Sequence, residues 1–239
     1  MGGGPPYPGA SPVVEYPERK AGRIGKPART SVKIRAMLRR KLALFAGLMG
    51  FGWIAACRSQ PEPALPRLLE VPEFELASAS GRVVRAQDLR GKVWVVDFIF
   101  TRCTGPCPLM SQRFRDLQDK LKAEGLAEAG RVRLVSISVD PGYDTPEVLS
   151  RYAEEWGADP ELWWFLTGDP EYVLHLLREG FKVTAQREGS GSHNILHSTK
   201  FLLVDGKGWV RRIADYEEEG LEDSLVRDIR RLLQEETGG

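Results

Sequence analysis

"VWVVDFIFTRCTGPCPLMSQRF", Val93 to Phe114, joins an apolar run to a stretch with helical spacing and sets Cys103 and Cys107 between them. Val93 to Phe100 is a nearly continuous run of β-branched and aromatic residues, bounded by Gly91 and the cysteine loop. Such a run predicts a strand buried on both faces, as the strands of parallel sheets are. Beyond the cysteines, Met110, Phe114, Leu117 and Leu121 recur at spacings of four, three and four, and Pro108 suits a first helical turn. This spacing predicts a helix over about residues 108–124.

Outward from this pair, Val132–Val139 reads as a strand, Pro146–Trp156 as a helix, Trp163–Leu166 as a short strand and Pro170–Glu179 as a helix. Phe181–Ala185, Lys200–Val204 and Trp209–Ile213 read as further strands, the last two separated by the hairpin turn Asp205-Gly206-Lys207-Gly208. Leu221, Leu225, Ile229, Leu232 and Leu233 mark a closing amphipathic helix. Strand, helix, strand, then an antiparallel pair and a final helix is a thioredoxin-like order: an α/β domain with a central mixed sheet flanked by helices. The adjacent Trp163 and Trp164 read as one core residue and one exposed, ahead of a docking surface.

The 239 residues, 42% hydrophobic, suffice for one globular domain with appendages. Residues 1–36 begin with a Gly- and Pro-rich stretch without apolar periodicity, read as an extension that need not be translated. Arg39, Arg40 and Lys41 then precede the uncharged run Leu42–Ala56, which has the grammar of an export signal over residues 37–56. A membrane span would need about 20 apolar residues, and this run is shorter. It ends Ile54-Ala55-Ala56-Cys57, which resembles the lipobox of bacterial lipoproteins and makes Cys57 a lipid attachment point. The expected location is the outer face of the cytoplasmic membrane. Residues 57–72, with four prolines, read as a tether, and residues 73–239 as the domain.

Residues 1–56 hold ten of the 34 Lys/Arg and two of the 33 Asp/Glu, leaving 24 basic against 31 acidic residues beyond them. That balance, without a nucleic-acid motif or a phosphate-binding glycine loop, argues against a polyanion partner.

With Cys57 set aside, Cys103 and Cys107 stand as a lone pair in a compartment where disulfides persist. Cys107 falls at the start of its helix, where unpaired N–H groups and the helix dipole favour a thiolate. Cys103 lies four residues earlier in the loop. The two sulfurs could form a disulfide or hold a soft ion such as copper(I). Of the three histidines, His175 reads as a partly buried packing residue and His193 as a loop residue. His197 stands just before the strand from Lys200, and in a thioredoxin-like sheet that loop passes beside the cysteine loop. Zinc is disfavoured by the small ligand set. A peroxidase is disfavoured because Phe100-Thr101-Arg102 precedes Cys103 where a peroxiredoxin-like proline and threonine would stand.

Three segments resemble the Sco/SenC family: CTGPCP (103–108) matches its CxxxCP motif, SVDPGYDTP (138–146) its acidic turn, and ILHSTKFLLVDGKG (195–208) its histidine-containing segment. The resemblance runs from about Glu73 to Leu233. It implies a membrane-tethered thioredoxin-like copper protein that delivers Cu(I) or Cu(II) to the copper A centre of cytochrome c oxidase during assembly. Its partners would be the copper A-bearing subunit, with another copper chaperone as a candidate. Cys103, Cys107 and His197 match the family's copper ligands. Asp140 and Asp144 match the acidic turn, expected to shape the site or a partner surface, with capping of the helix after Pro146 as the alternative role for Asp144. The competing function is a thiol-disulfide oxidoreductase that keeps the copper A cysteines reduced, with Cys103 and Cys107 as its catalytic pair.

Overall fold

The computed structural model describes residues 63–183, 185–187 and 195–237. Its centre is three parallel strands, β4 (Val93–Ile99), β5 (Val132–Ser138) and β6 (Trp163–Thr167). All seven residues of β4 and all seven of β5 are buried, which is why the sequence there is apolar without alternation. β9 (Lys200–Val204) lies antiparallel against the other edge of β4 and turns back into β10 (Trp209–Asp215). The short β1 (Leu69–Glu70) completes that side, and β2 (Glu75–Ser78) with β3 (Val83–Arg85) completes the side beyond β6. The eight strands run in the order β1-β10-β9-β4-β5-β6-β2-β3, a mixed sheet of thioredoxin-like type. A separate two-stranded ribbon, β7 (Ala185–Arg187) with β8 (Ile195–His197), precedes β9.

The helices arise from their apolar stripes and end signals. α1 (Cys107–Ala123) buries Met110, Phe114, Leu117 and Leu121 against the sheet. Phe114 meets Phe201 edge-on at 4.8 Å and Trp163 at 5.5 Å, so one ring ties α1 to both β9 and β6. α2 (Pro146–Glu155) opens with Thr145 accepting from the Val148 N–H and Pro146 in the first turn. α3 (Pro170–His175) is capped by Asp169 and continues as a π-turn, Leu176–Gly180. α4 (Leu221–Thr237) lays Leu221, Leu225, Ile229 and Leu232 along one buried stripe.

The 205–208 turn forms as expected: Asp205 accepts from the N–H groups of Lys207 and Trp209, and Gly208 takes φ +84°, which a side chain would strain. Three readings need correction. Phe181–Val183 is not strand: Phe181 comes directly after the π-turn and plugs onto Trp94 (6.5 Å) and Phe98 (5.4 Å), so its burial comes from the sheet face and not from pairing. His175 is exposed, because the buried stripe of α3 runs through Val173. Packing also begins before Glu73. β1 pairs with β10, Val71 is buried, and Arg211 donates to the carbonyls of Leu65 and Pro66.

Trp163 is core and Trp164 half-buried, the latter donating its indole N–H to the Pro160 carbonyl.

Removing the ring that joins α1 to two strands leaves a cavity as well as losing apolar burial. Phe114→Ala should lower the unfolding free energy by about 3–5 kcal/mol, read from the urea midpoint at unchanged slope. A loss below about 1 kcal/mol would contradict this packing.

Candidate metal centre

The chain leaves β4 at Ile99, and a short loop carries it into α1 at Cys107. A turn closes at once, the Cys103 N–H donating to the Phe100 carbonyl at 3.2 Å. Cys103 is half-buried in this loop; Cys107, the first residue of α1, is fully buried. Both are present as thiols, in hydrogen-bonding contact with each other. Two residues separated by four positions thus place their sulfurs in one small volume.

The loop is clamped from the side of β5. Asp144 is fully buried and accepts from the Thr101 N–H (3.2 Å), the Thr101 hydroxyl (2.5 Å) and the Ser138 hydroxyl (2.5 Å). Arg102 donates to the buried carboxylate of Asp140 at 2.5 Å and lies 3.8 Å over the Tyr143 ring. The two residues just ahead of Cys103 are therefore both held by the 138–146 turn. Asp140 and Asp144 point inward, so neither carboxylate is a docking surface, and the cap of α2 is Thr145 and not Asp144. From below, Ser111, one turn after Cys107, shares a 2.8 Å hydrogen bond with Tyr152 of α2.

The electrostatics oppose the expectation for Cys107. Its thiol is pushed far above the usual cysteine range, first by the hydrogen bond with Cys103, then by burial, with the charge of Asp97 adding to the effect. Asp97 is fully buried in β4, on the face opposite Trp94 and Phe98. The start of the helix does not outweigh these. Without an ion beside it, the Cys107 sulfur stays a neutral thiol.

His197 ends β8, and its backbone is placed by the strand beyond it. β9 pairs antiparallel with β4 as Val96↔Leu202, Val95↔Leu203 and Trp94↔Val204. Extended outward, that register sets the start of β9 beside the end of β4, where the cysteine loop begins. The imidazole of His197 lies outside the described side chains, as do His193 and Cys57 outside the described residues. Among the described residues no three His, Cys, Asp or Glu side chains gather.

Thr101, Arg102 and Ser138 were not singled out by the sequence, although each carries part of the clamp. Ser138 offered a signal, a hydroxyl at the end of an otherwise apolar strand. Asp97 offered a stronger one, a charge inside the most apolar run of the chain.

The profile of the SCO1/SenC family matches residues 64–234. This chain belongs to the SCO1/SenC family. A SCO1/SenC family lipoprotein from Bacillus anthracis superposes with a TM-score of 0.63 at 31% identity, over 69% of this chain and 95% of that one. BsSco, described as a member of the Sco family of cytochrome c oxidase assembly proteins and as carrying a disulfide switch, gives 0.62 at 32% identity over 70% and 95%. Bradyrhizobium japonicum ScoI, solved with copper bound, gives 0.58 at 25% identity over 69% and 99%.

In this Sco/SenC protein, burial holds the Asp144 carboxyl above the usual carboxylate range despite the hydrogen bonds from Ser138 and Thr101 that pull it down. A raised folded-state value means the folded chain binds this proton more tightly than the unfolded one. That stabilisation is full below the ordinary carboxylate range and is lost as pH rises through the raised value. Asp144→Asn cannot titrate, so the difference in urea midpoint between wild type and variant should change in that direction from about pH 4 to pH 7. A constant difference across that interval would contradict the raised value.

Proposed function

We propose that this Sco/SenC protein takes up copper on Cys103, Cys107 and His197 and delivers it to the copper A-bearing subunit of cytochrome c oxidase as that centre is assembled. The carrying observation is the placement of two thiols in mutual contact at the first turn of α1, beside the end of β4 where β9 begins. Two sulfurs and an imidazole suit copper in either oxidation state, the thiolates favouring Cu(I). The copper-bound ScoI and the oxidase-assembly description of BsSco support the same reading. Copper here is cargo, passed by exchange of ligands, and another chaperone could load it.

The raised pKa of the Cys107 thiol fits this role. Cys107 resists ionisation because of its hydrogen bond with Cys103 and its burial, whereas a cation between the two sulfurs would reverse that balance and draw the protons off. Binding at neutral pH should release about two protons. Calorimetry in two buffers of different ionisation enthalpy measures that number, and affinity should fall as pH falls. Release of no proton would exclude a dithiolate site.

We further propose that the protein is exported and held on the outer face of the cytoplasmic membrane by a lipid on Cys57, as the leader grammar of residues 37–57 suggests and the lipoprotein relative supports. Mass spectrometry of membrane-extracted protein decides it: an unmodified N-terminus upstream of Cys57 would refute the anchor.

A second reading draws on the difference in exposure between the sulfurs. Cys103 is half-buried and Cys107 sealed, so Cys103 could attack a target disulfide and Cys107 resolve the mixed disulfide. His197 separates the two. His197→Ala should weaken copper binding at least tenfold and impair oxidase assembly, with partial rescue by excess copper, while the Cys103–Cys107 disulfide still forms and is still reduced. Normal assembly in His197→Ala cells would favour the reductase.

A further inference from the structure

The parallel strands have a second end, about 20 Å from the cysteine loop at the rise of a seven-residue strand. There Arg133 at the start of β5 and Trp164 at the start of β6 line an open groove of about 800 Å³, with Arg82, Ser80 and Ser150 also on its walls. Arg133 is nine-tenths buried, 9% exposed. Its Nη1 donates to the Val132 carbonyl at 2.8 Å, but its Nε has no hydrogen-bond partner. Its guanidinium lies 5.0 Å from the Trp164 ring centre and that of Arg82 lies 5.7 Å from the same ring.

Among the described residues no carboxylate forms an ion pair with either arginine. That is unlike the other shielded arginines of the chain: Arg113 pairs with Glu222, Arg211 with Asp205 and Arg212 with Asp228. A buried charge is ordinarily paired, because withdrawing it from water without a counter-charge is costly. Arg133 instead has a second cation beside it. Burial pulls its pKa down most; the nearby Glu161 carboxylate pulls it part of the way back, and the Arg82 charge, a smaller effect, lowers it again. The rim carries Glu154 and Glu161, both exposed and neither bonded to Arg133.

We propose that this groove is a binding site for a small organic anion, whose carboxylate or phosphate group pairs with Arg133 and Arg82 while its apolar part lies against Trp164 and the wall at Ala153 and Ala158. The volume is that of small-molecule sites, ~300–1,000 Å³. The ligand supplies the hydrogen-bonded ion pair that Arg133 lacks, in competition with the unbonded Glu161, and Arg's fork of donors suits the bidentate geometry of either oxyanion. The proposal is independent of the copper reading, since it uses no residue of the cysteine loop.

The test is titration of the ¹⁵N-labelled full chain with benzoate, phenyl phosphate and inorganic phosphate at fixed ionic strength, monitoring the Trp164 indole N–H. Benzoate or phenyl phosphate should give a saturable shift, and the tighter of the two identifies the oxyanion. Inorganic phosphate, without an apolar part, should bind more weakly. Arg82→Gln, an exposed position that leaves the core intact, should weaken binding at least tenfold; Glu161→Gln, which removes a competing carboxylate, should tighten it. The anion should raise the melting temperature of the wild type and not that of Arg133→Met. Copper uptake should be unchanged in Arg82→Gln. Absence of a saturable shift with both aromatic probes would overturn the site, and so would equal affinity in Arg82→Gln and the wild type.

Discussion

The arrangement rests on the in-register parallel pairing of β4 with β5, from Val93↔Val132 to Ile99↔Ser138. Because the two strands end together, the segments leaving them are delivered to the same place: the cysteine loop after β4 and the 140–144 turn after β5. Thr101 can therefore donate twice to Asp144, and Arg102 can reach Asp140. A slip of register would move both loops apart and turn every side chain of β4 to the wrong face. The apolar burial of both strands resists that slip, so the precision of a polar clamp is underwritten by an apolar core.

Two opposing effects meet at Cys107. A helix start favours a negative sulfur by a modest amount that falls off within the first turn. Complete burial, a neighbouring thiol and the Asp97 carboxylate all disfavour it, and they dominate. Reasoning from the helix position alone predicted the wrong sign because the hydrogen bond with Cys103 and the depth of burial are set by how the loop folds against the core and not by the helix start. In the proposed copper reading the same surroundings favour a cation. A cation between two sulfurs would supply the counter-charge that their thiolates lack there.

The features legible in the sequence were those that local pattern controls. The apolar run 93–100, the 4-3-4 stripe of α1 and the Asp205–Gly208 turn each carry their own signal, and they bracket the cysteines. The resemblance of three short motifs then pointed to the family. Features set by tertiary contact were not legible. Phe181 has the composition of a strand residue but is buried by Trp94 and Phe98 from another element. The hairpin of β2 and β3 is a short edge element whose "ELAS" and "VVR" are too brief for alternation to register. The role of Asp144 depends on Thr101, 43 residues away, and no spacing rule reports such a donor.

The two ends of the parallel strands handle charge in contrary ways. At the cysteine end every buried carboxylate of the 138–146 turn has its donors, and the loop is fixed before any ligand arrives. At the other end Arg133 is buried with its Nε unbonded and a second arginine beside it. A satisfied network gives rigidity, which suits the proposed role of the loop in holding two sulfurs in one geometry. A buried cation without an ion pair is costly, and an anion in the groove would offset that cost. The first arrangement is complete in the protein itself; the second, on the proposal made above, is completed by an anion.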